Sequence, residues 1–170
     1  ICLTPGLHRI GVSVNYNNGN RFTSAPVTVD VSDSVFYVST DGTGIGTIDD
    51  KCSLDYALTS SITAGSHIIL DDGTYKFDKQ YNLEGFNDLI IEGSANTVLD
   101  GQNKAGFFSS QNGKPITLKN LIFKNGAFNR EDNQNGLILI DGGLIDNCTL
   151  IDNVANFALI RVLSNSDDLP

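Results

Sequence analysis

The sequence predicts an all-β chain: a right-handed parallel β-helix with a short capping helix at its start, preceded by strands of a different module. Three observations carry this. First, Ile116-Thr117-Leu118-Lys119-Asn120-Leu121-Ile122-Phe123-Lys124-Asn125 is answered 27 positions later by Gly143-Leu144-Ile145-Asp146-Asn147-Cys148-Thr149-Leu150-Ile151-Asp152, and the same step back from Thr117 and Leu118 lands on Ile90 and Ile91. A period of this size marks a solenoid, whose repeats bury their apolar faces against one another. Second, the repeats are short Ile/Leu/Val/Phe runs broken by Asn, Gly and Asp, without a long 3.6-residue period, so they read as strands. Third, residues 1–33 follow another pattern.

Length and composition agree with this. The 170 residues leave room for one or two domains, and 40% are hydrophobic, an ordinary globular share. Twenty acids against 11 bases give a net charge of -9, which argues against a nucleic-acid partner or an anionic membrane surface. No apolar run approaches the ~20 residues that span a bilayer, so no membrane insertion is expected of this segment. Met is absent and the chain opens on Ile1, as expected of a piece of a longer protein. The three cysteines, Cys2, Cys52 and Cys148, lack metal-site spacing, and one must stay unpaired within the chain.

From the start, His8, Ile10, Val12, Val14 and Tyr16 alternate with polar residues and Gly11, which predicts a strand with one buried face. Asn17-Asn18-Gly19-Asn20 is a hairpin turn. The return begins near Phe22, breaks at Pro26, and resumes through Val27, Val29 and Val31. A boundary is expected at Asp33-Ser34. Val35-Phe36-Tyr37-Val38-Ser39 is a strand, and Asp41 to Gly46 a turn-rich loop. A helix is predicted near 53–63, with Ser53 as N-cap and Asp55 in the first turn; Leu54, Ala57, Leu58 and Ile62 share one face, and Gly65 is the stop. Its physical role is to cover the apolar end of the first coil.

Coils follow from Ser66. His67 to Leu70 is a strand, Asp71-Asp72-Gly73 a turn and Thr74-Tyr75 the next strand's start. Leu89 to Gly93 and Asn96 to Gly101 make the next rung, Pro115 opens the third, and residues 129–135 form a projecting loop. Gly136 to Asp141 continues that rung, Leu144 opens the fourth, and Phe157 to Val162 is the last strand. The polar stretch from Ser164 to Pro170 is expected to be a solvated end or a truncation of the solenoid.

These segments resemble a known family. Cys52-Ser53-Leu54-Asp55-Tyr56-Ala57-Leu58 is similar to the "CSLREAI" cap helix that precedes many pectate-lyase-like β-helices, with Asp55-Tyr56 in place of the usual Arg-Glu. Gly65 to Tyr75 resembles "GxTIxLxxGTY", Leu89 to Gly101 "ItixGxxxtvlDG", Ile116 to Gly126 "ItlkNltFxNg", and Ile145 to Ala155 "idNctfxdNxa". Together they resemble adhesin-like cell-surface proteins of methanogenic archaea, over about residues 35–160. Residues 1–33 resemble the last strands of an immunoglobulin-like β-sandwich repeat, which those proteins join to their β-helices. The resemblance implies domains at 1–33 and 34–170, an extracellular, cell-surface or cell-wall location, and a polysaccharide or surface protein of another cell as partner.

Candidate chemistry is sparse. Asn120 and Asn147 stand one period apart and predict an internal ladder of side-chain amides. Asn147-Cys148-Thr149 also matches the N-glycosylation pattern, which a buried ladder asparagine would not use. Cys148 aligns with Leu121 and reads as a buried, inert thiol. Asp71 and Asp72 are the best paired carboxylates for glycoside hydrolysis. They lack the Asn-x-Asp, Gly-His-Gly and Arg-x-Lys series of β-helix hydrolases; His67 and His8 have no such context. Arg161 with Asp141, Asp146 and Asp152 is an unremarkable imitation of a lyase set. Solvated turn acids are the preferred reading, with Ca²⁺ held by turn carboxylates set below it. No catalytic or cofactor-binding residue is assigned. The expected function is a non-enzymatic adhesin-like segment, with a polysaccharide lyase or hydrolase and a purely structural spacer as the alternatives.

Overall fold

A computed structural model describes residues 6–31, 35–59, 65–112, 114–128 and 136–163. Four short strands come first: β1 (Gly6–Ile10), β2 (Ser13–Asn15), β3 (Arg21–Thr23) and β4 (Val27–Val31). β1 pairs antiparallel with β4, and β2 with β3. Gly19, at φ 84°, makes the turn between β2 and β3, where Tyr16 N–H donates to Asn20 O at 2.8 Å. The expected buried face is not there. Ile10, Val12, Val14, Tyr16, Phe22 and Val27 are all exposed, because no second layer packs on this ribbon among the described residues. The boundary expected at Asp33-Ser34 lies outside the described residues.

Next come β5 (Val35–Val38) and α1 (Leu54–Thr59). Ser53 Oγ accepts the Tyr56 N–H at 3.1 Å, the N-cap bond expected of it. Leu54, Ala57 and Leu58 are buried in the same cluster as Val38 and Cys52. The helix is described only to Thr59; Ile62, expected on its buried face, lies outside the described residues. Fewer than two turns would not persist alone in water, so burial of this face is what holds α1.

The chain then passes repeatedly through three parallel sheets. The first pass is β6 (His67–Leu70), β7 (Gly73–Lys76) and β8 (Tyr81–Asn82), and the second β9 (Leu89–Glu92), β10 (Thr97–Asp100) and β11 (Phe108–Ser109). The third is β12 (Ile116–Lys119), β13 (Ile122–Lys124), β14 (Ala127–Phe128) and β15 (Gly136–Asp141). The fourth is β16 (Gly143–Asp146), β17 (Thr149–Ile151), β18 (Val154–Ala155) and β19 (Ala158–Leu163). One sheet is ordered β16-β12-β9-β6-β5, the second β17-β13-β10-β7 and the third β19-β15-β11-β8, with β14-β18 as a small fourth. None closes on itself. The projecting loop at 129–135 and the stretch from Ser164 lie outside the described residues.

The register is the one the repeat predicts: Leu118 opposes Ile91 on one side and Ile145 on the other. Alternate residues along each strand point to opposite faces, so three inward rows line up. Ile68, Ile91, Leu118 and Ile145 form one; Tyr75, Leu99, Phe123 and Leu150 the second; Phe108, Ile138 and Ile160 the third. Every member is buried except those of the fourth pass: Ile145 and Leu150 are half-buried and Ile160 is 37% exposed. Each row needs a neighbour on both sides, and the fourth pass has one only on its inner side among the described residues. Aromatic rings fill the middle, with Phe77 edge-on to Tyr81, Phe107 and Phe108, and Phe123 edge-on to Phe107. No helix among the described residues is long and apolar enough to cross a membrane.

Candidate functional site

The corners between strands hold the polar side chains. Asn120 and Asn147 follow β12 and β16 with φ of 54° and 48°, left-handed conformations that asparagine tolerates better than most residues. Asn147 Nδ2 donates to Asn120 Oδ1 at 2.8 Å, and Asn120 Nδ2 to Glu92 Oε1 at 3.3 Å. Glu92 Oε2 lies 3.1 Å from His67 Nε2, so one line of contacts joins all four passes. The line is not interior, as an internal ladder would be. Asn120 is half-buried, Asn147 is exposed, and both border a small hollow with Ser94 and Thr149. They stand at an outward corner, where the backbone leaves one sheet for the next. The burial expected to withhold Asn147 from modification is therefore absent.

Glu92 and His67 were not legible as members of this line, because neither repeats at 27 residues. Asn153 was missed too. Its Oδ1 accepts Gly126 N–H at 2.6 Å and its Nδ2 donates to Phe123 O at 2.8 Å, tying the fourth pass to the third. The signal available was its place one period after Gly126.

The carboxylates at the first corner face different neighbours. Asp71 pairs with Lys51 at 2.6 Å. Asp72 accepts from the Ser94 hydroxyl and from Asn96 Nδ2, the latter at 3.0 Å. Thus one acid is held by the loop before α1 and the other by the following pass. Arg161 is remote from both in the topology: it lies on β19, in the third sheet, with its guanidinium 5.6 Å from the Phe157 ring centre. Asp141 ends β15, Asp146 ends β16 and Asp152 follows β17. Among the described residues no three His, Cys, Asp or Glu side chains group to hold a metal ion.

The bonds from Ser94 and Asn96 hold the Asp72 carboxyl below the usual carboxylate range. Its folded pKa is lower than its unfolded one, so its stabilising contribution is complete above the unfolded value of about 3.9 and is lost as pH falls through the folded value. Asp72→Asn should therefore melt below the parent at neutral pH, with the gap closing on acidification below about pH 3.9. Thermal unfolding of both proteins across that range checks it; a gap unchanged in acid would detach the effect from the charge.

Cys52 is buried and Cys148 half-buried, and both are free thiols. Burial pushes both thiols up from their ordinary range, which disfavours the reactive thiolate. Cys148 is less enclosed than its alignment with Leu121 implies, because it belongs to the fourth pass. Cys2 lies outside the described residues.

A groove of about 410 Å³ opens between the start of α1 and β7, bordered by Ser39, Thr40, Ser53, Leu54, Asp55, Thr74, Tyr75, Lys76 and Tyr81. Asp55 Oδ1 accepts the Tyr81 hydroxyl at 3.1 Å and Lys79 Nζ at 3.3 Å. Burial, and then the Asp55 charge, push the Tyr81 phenol up, so it stays a donor. Lys79 also lies 5.0 Å from the centre of the Tyr81 ring. Sequence reading placed Asp55 in the first turn of the helix and gave it no binding part. Comparison of the chain with protein-family models, curated proteins and solved structures finds no match.

Proposed function

We propose that this chain is a non-enzymatic segment of an extracellular, cell-surface adhesin-like protein, in which the three parallel sheets wind as a right-handed parallel β-helix over residues 34–170. Residues 1–33 are then the end of an immunoglobulin-like β-sandwich repeat. The observation that carries the reading is the fixed order of the passes: the chain enters the same three sheets in the same sequence four times. A stack of this kind is stiff along its axis and repeats its outward side chains every ~4.8 Å. The outward row Ile90, Thr117, Leu144 is one example, at adjoining positions of three strands. A ladder of equivalent positions suits a ligand that itself repeats, because weak contacts along one polymer add through effective concentration. The separate partners of Asp71 and Asp72 support binding over hydrolysis, which needs two carboxyls across one bond.

The test incubates the purified chain with plant, microbial and host polysaccharides, with and without Ca²⁺, and reads retained protein and released sugar from the same wells. Saturable retention without product is the expected result. Released product would replace the reading with a lyase or hydrolase. Absence of both signals would replace the carbohydrate partner with a protein, or the binding role with that of a spacer.

A further inference from the structure

We infer that the groove between α1 and β7 is a binding site for the neutral end of a saccharide, with Asp55 as its main acceptor. This rests on the adhesin reading above and gives it a place and a ligand class. Asp55 Oδ1 is held by Tyr81 and Lys79, and among the described residues nothing engages its Oδ2. The carboxylate is thus fixed in orientation with half its acceptor capacity left, which lowers the ordering cost of binding. The side chains of Ser39, Thr40, Thr74 and Lys76 border the same groove, and none hydrogen-bonds another described residue. Ser53 Oγ is engaged as an acceptor by Tyr56 N–H, so its own proton remains available to donate.

The lining therefore offers one fixed anionic acceptor, one ammonium and several hydroxyls that both donate and accept. Adjacent hydroxyls on a sugar ring offer the complementary set. Tyr81, half-buried, supplies apolar surface in the same lining, as the carbon face of a sugar requires. The volume of about 410 Å³ falls within the ~300–1,000 Å³ of small-molecule sites. Charge selects among sugars: the chain carries -9, a field that opposes an anionic uronate chain. An apolar ligand would leave the hydroxyls and the carboxylate desolvated without partners, which is costly.

The test is amide chemical-shift mapping of the ¹⁵N-labelled full chain, titrated separately with cellotriose, mannotriose, chitotriose and trigalacturonate. The expected result is saturable shifts with at least one neutral trisaccharide, centred on residues 39–40, 53–55 and 74–76, and weaker ones with trigalacturonate. Asp55→Asn and Lys76→Gln should each weaken binding about tenfold, the loss of one charge-assisted hydrogen bond. Asp55 is 58% exposed, so its variant should keep the parent spectrum. Shifts confined to the outward row at Ile90, Thr117 and Leu144 would overturn the groove and leave the adhesin reading standing. Variants that bind like the parent would do the same. No shift with any trisaccharide would overturn the groove, and retention in the polysaccharide panel would then decide separately whether the adhesin reading survives.

Discussion

Leu118→Asp is expected to leave the chain without a cooperative thermal transition. Leu118 is fully buried in β12, flanked in register by Ile91 of β9 and Ile145 of β16. The new carboxylate would displace apolar packing from both neighbours and would have to desolvate, ionise at a cost or stay protonated. An unpaired buried charge costs roughly 3–5 kcal/mol, against a total stability of about 5–15 kcal/mol for a typical folded chain. Ile145→Asp should cost less, because Ile145 is only half-buried. Calorimetry with far-ultraviolet circular dichroism reads both variants. A Leu118→Asp protein melting near the parent would mean that the register of β9, β12 and β16 is wrong.

Phe77→Ala is the next largest effect. Phe77 is 1% exposed, and its ring meets those of Tyr81, Phe107 and Phe108 at centroid distances of 5.4, 5.5 and 5.6 Å. Truncation removes the transfer free energy of the ring, leaves a cavity, and ends three edge-to-face contacts, for about 3–5 kcal/mol. For a chain of this length that is a fall in Tm on the order of 10 °C. Urea unfolding should show a lower midpoint with an unchanged slope. A loss under about 1 kcal/mol would mean that the cluster can collapse around the gap.

Much of the strand order was legible because parallel pairing in register prints itself on a sequence. Thr117-Leu118 matches Ile90-Ile91 and Leu144-Ile145 for that reason: each inward residue needs an apolar neighbour one pass away. The turn asparagines repeat for a related reason, since Asn120 and Asn147 both take a left-handed conformation. Ser53 was legible as a cap because an N-cap bond is local. The extent of α1 was less legible, as helix ends commonly are.

Depth was not legible. Alternation in residues 8–16 shows that apolar side chains share a face, but coverage depends on what else packs there, and Ile10 to Tyr16 stay exposed. Asn147 carries the spacing of an interior ladder and stands at an outward corner. Asp71 and Asp72 are adjacent in sequence, yet their partners lie on opposite sides, at Lys51 and at Ser94 with Asn96.

By itself the sequence determined the all-β class, the 27-residue register and the helix cap. Each depends on residues near in sequence or repeated at one fixed step, which a linear pattern records. Only the tertiary structure decided which apolar faces are covered and that Asp71 and Asp72 turn to separate partners. It alone placed Asp55 beside Thr74, Lys76 and Tyr81 in one groove. Those residues belong to a helix and two strands with no shared period, and only packing of α1 against the first pass brings them to one place.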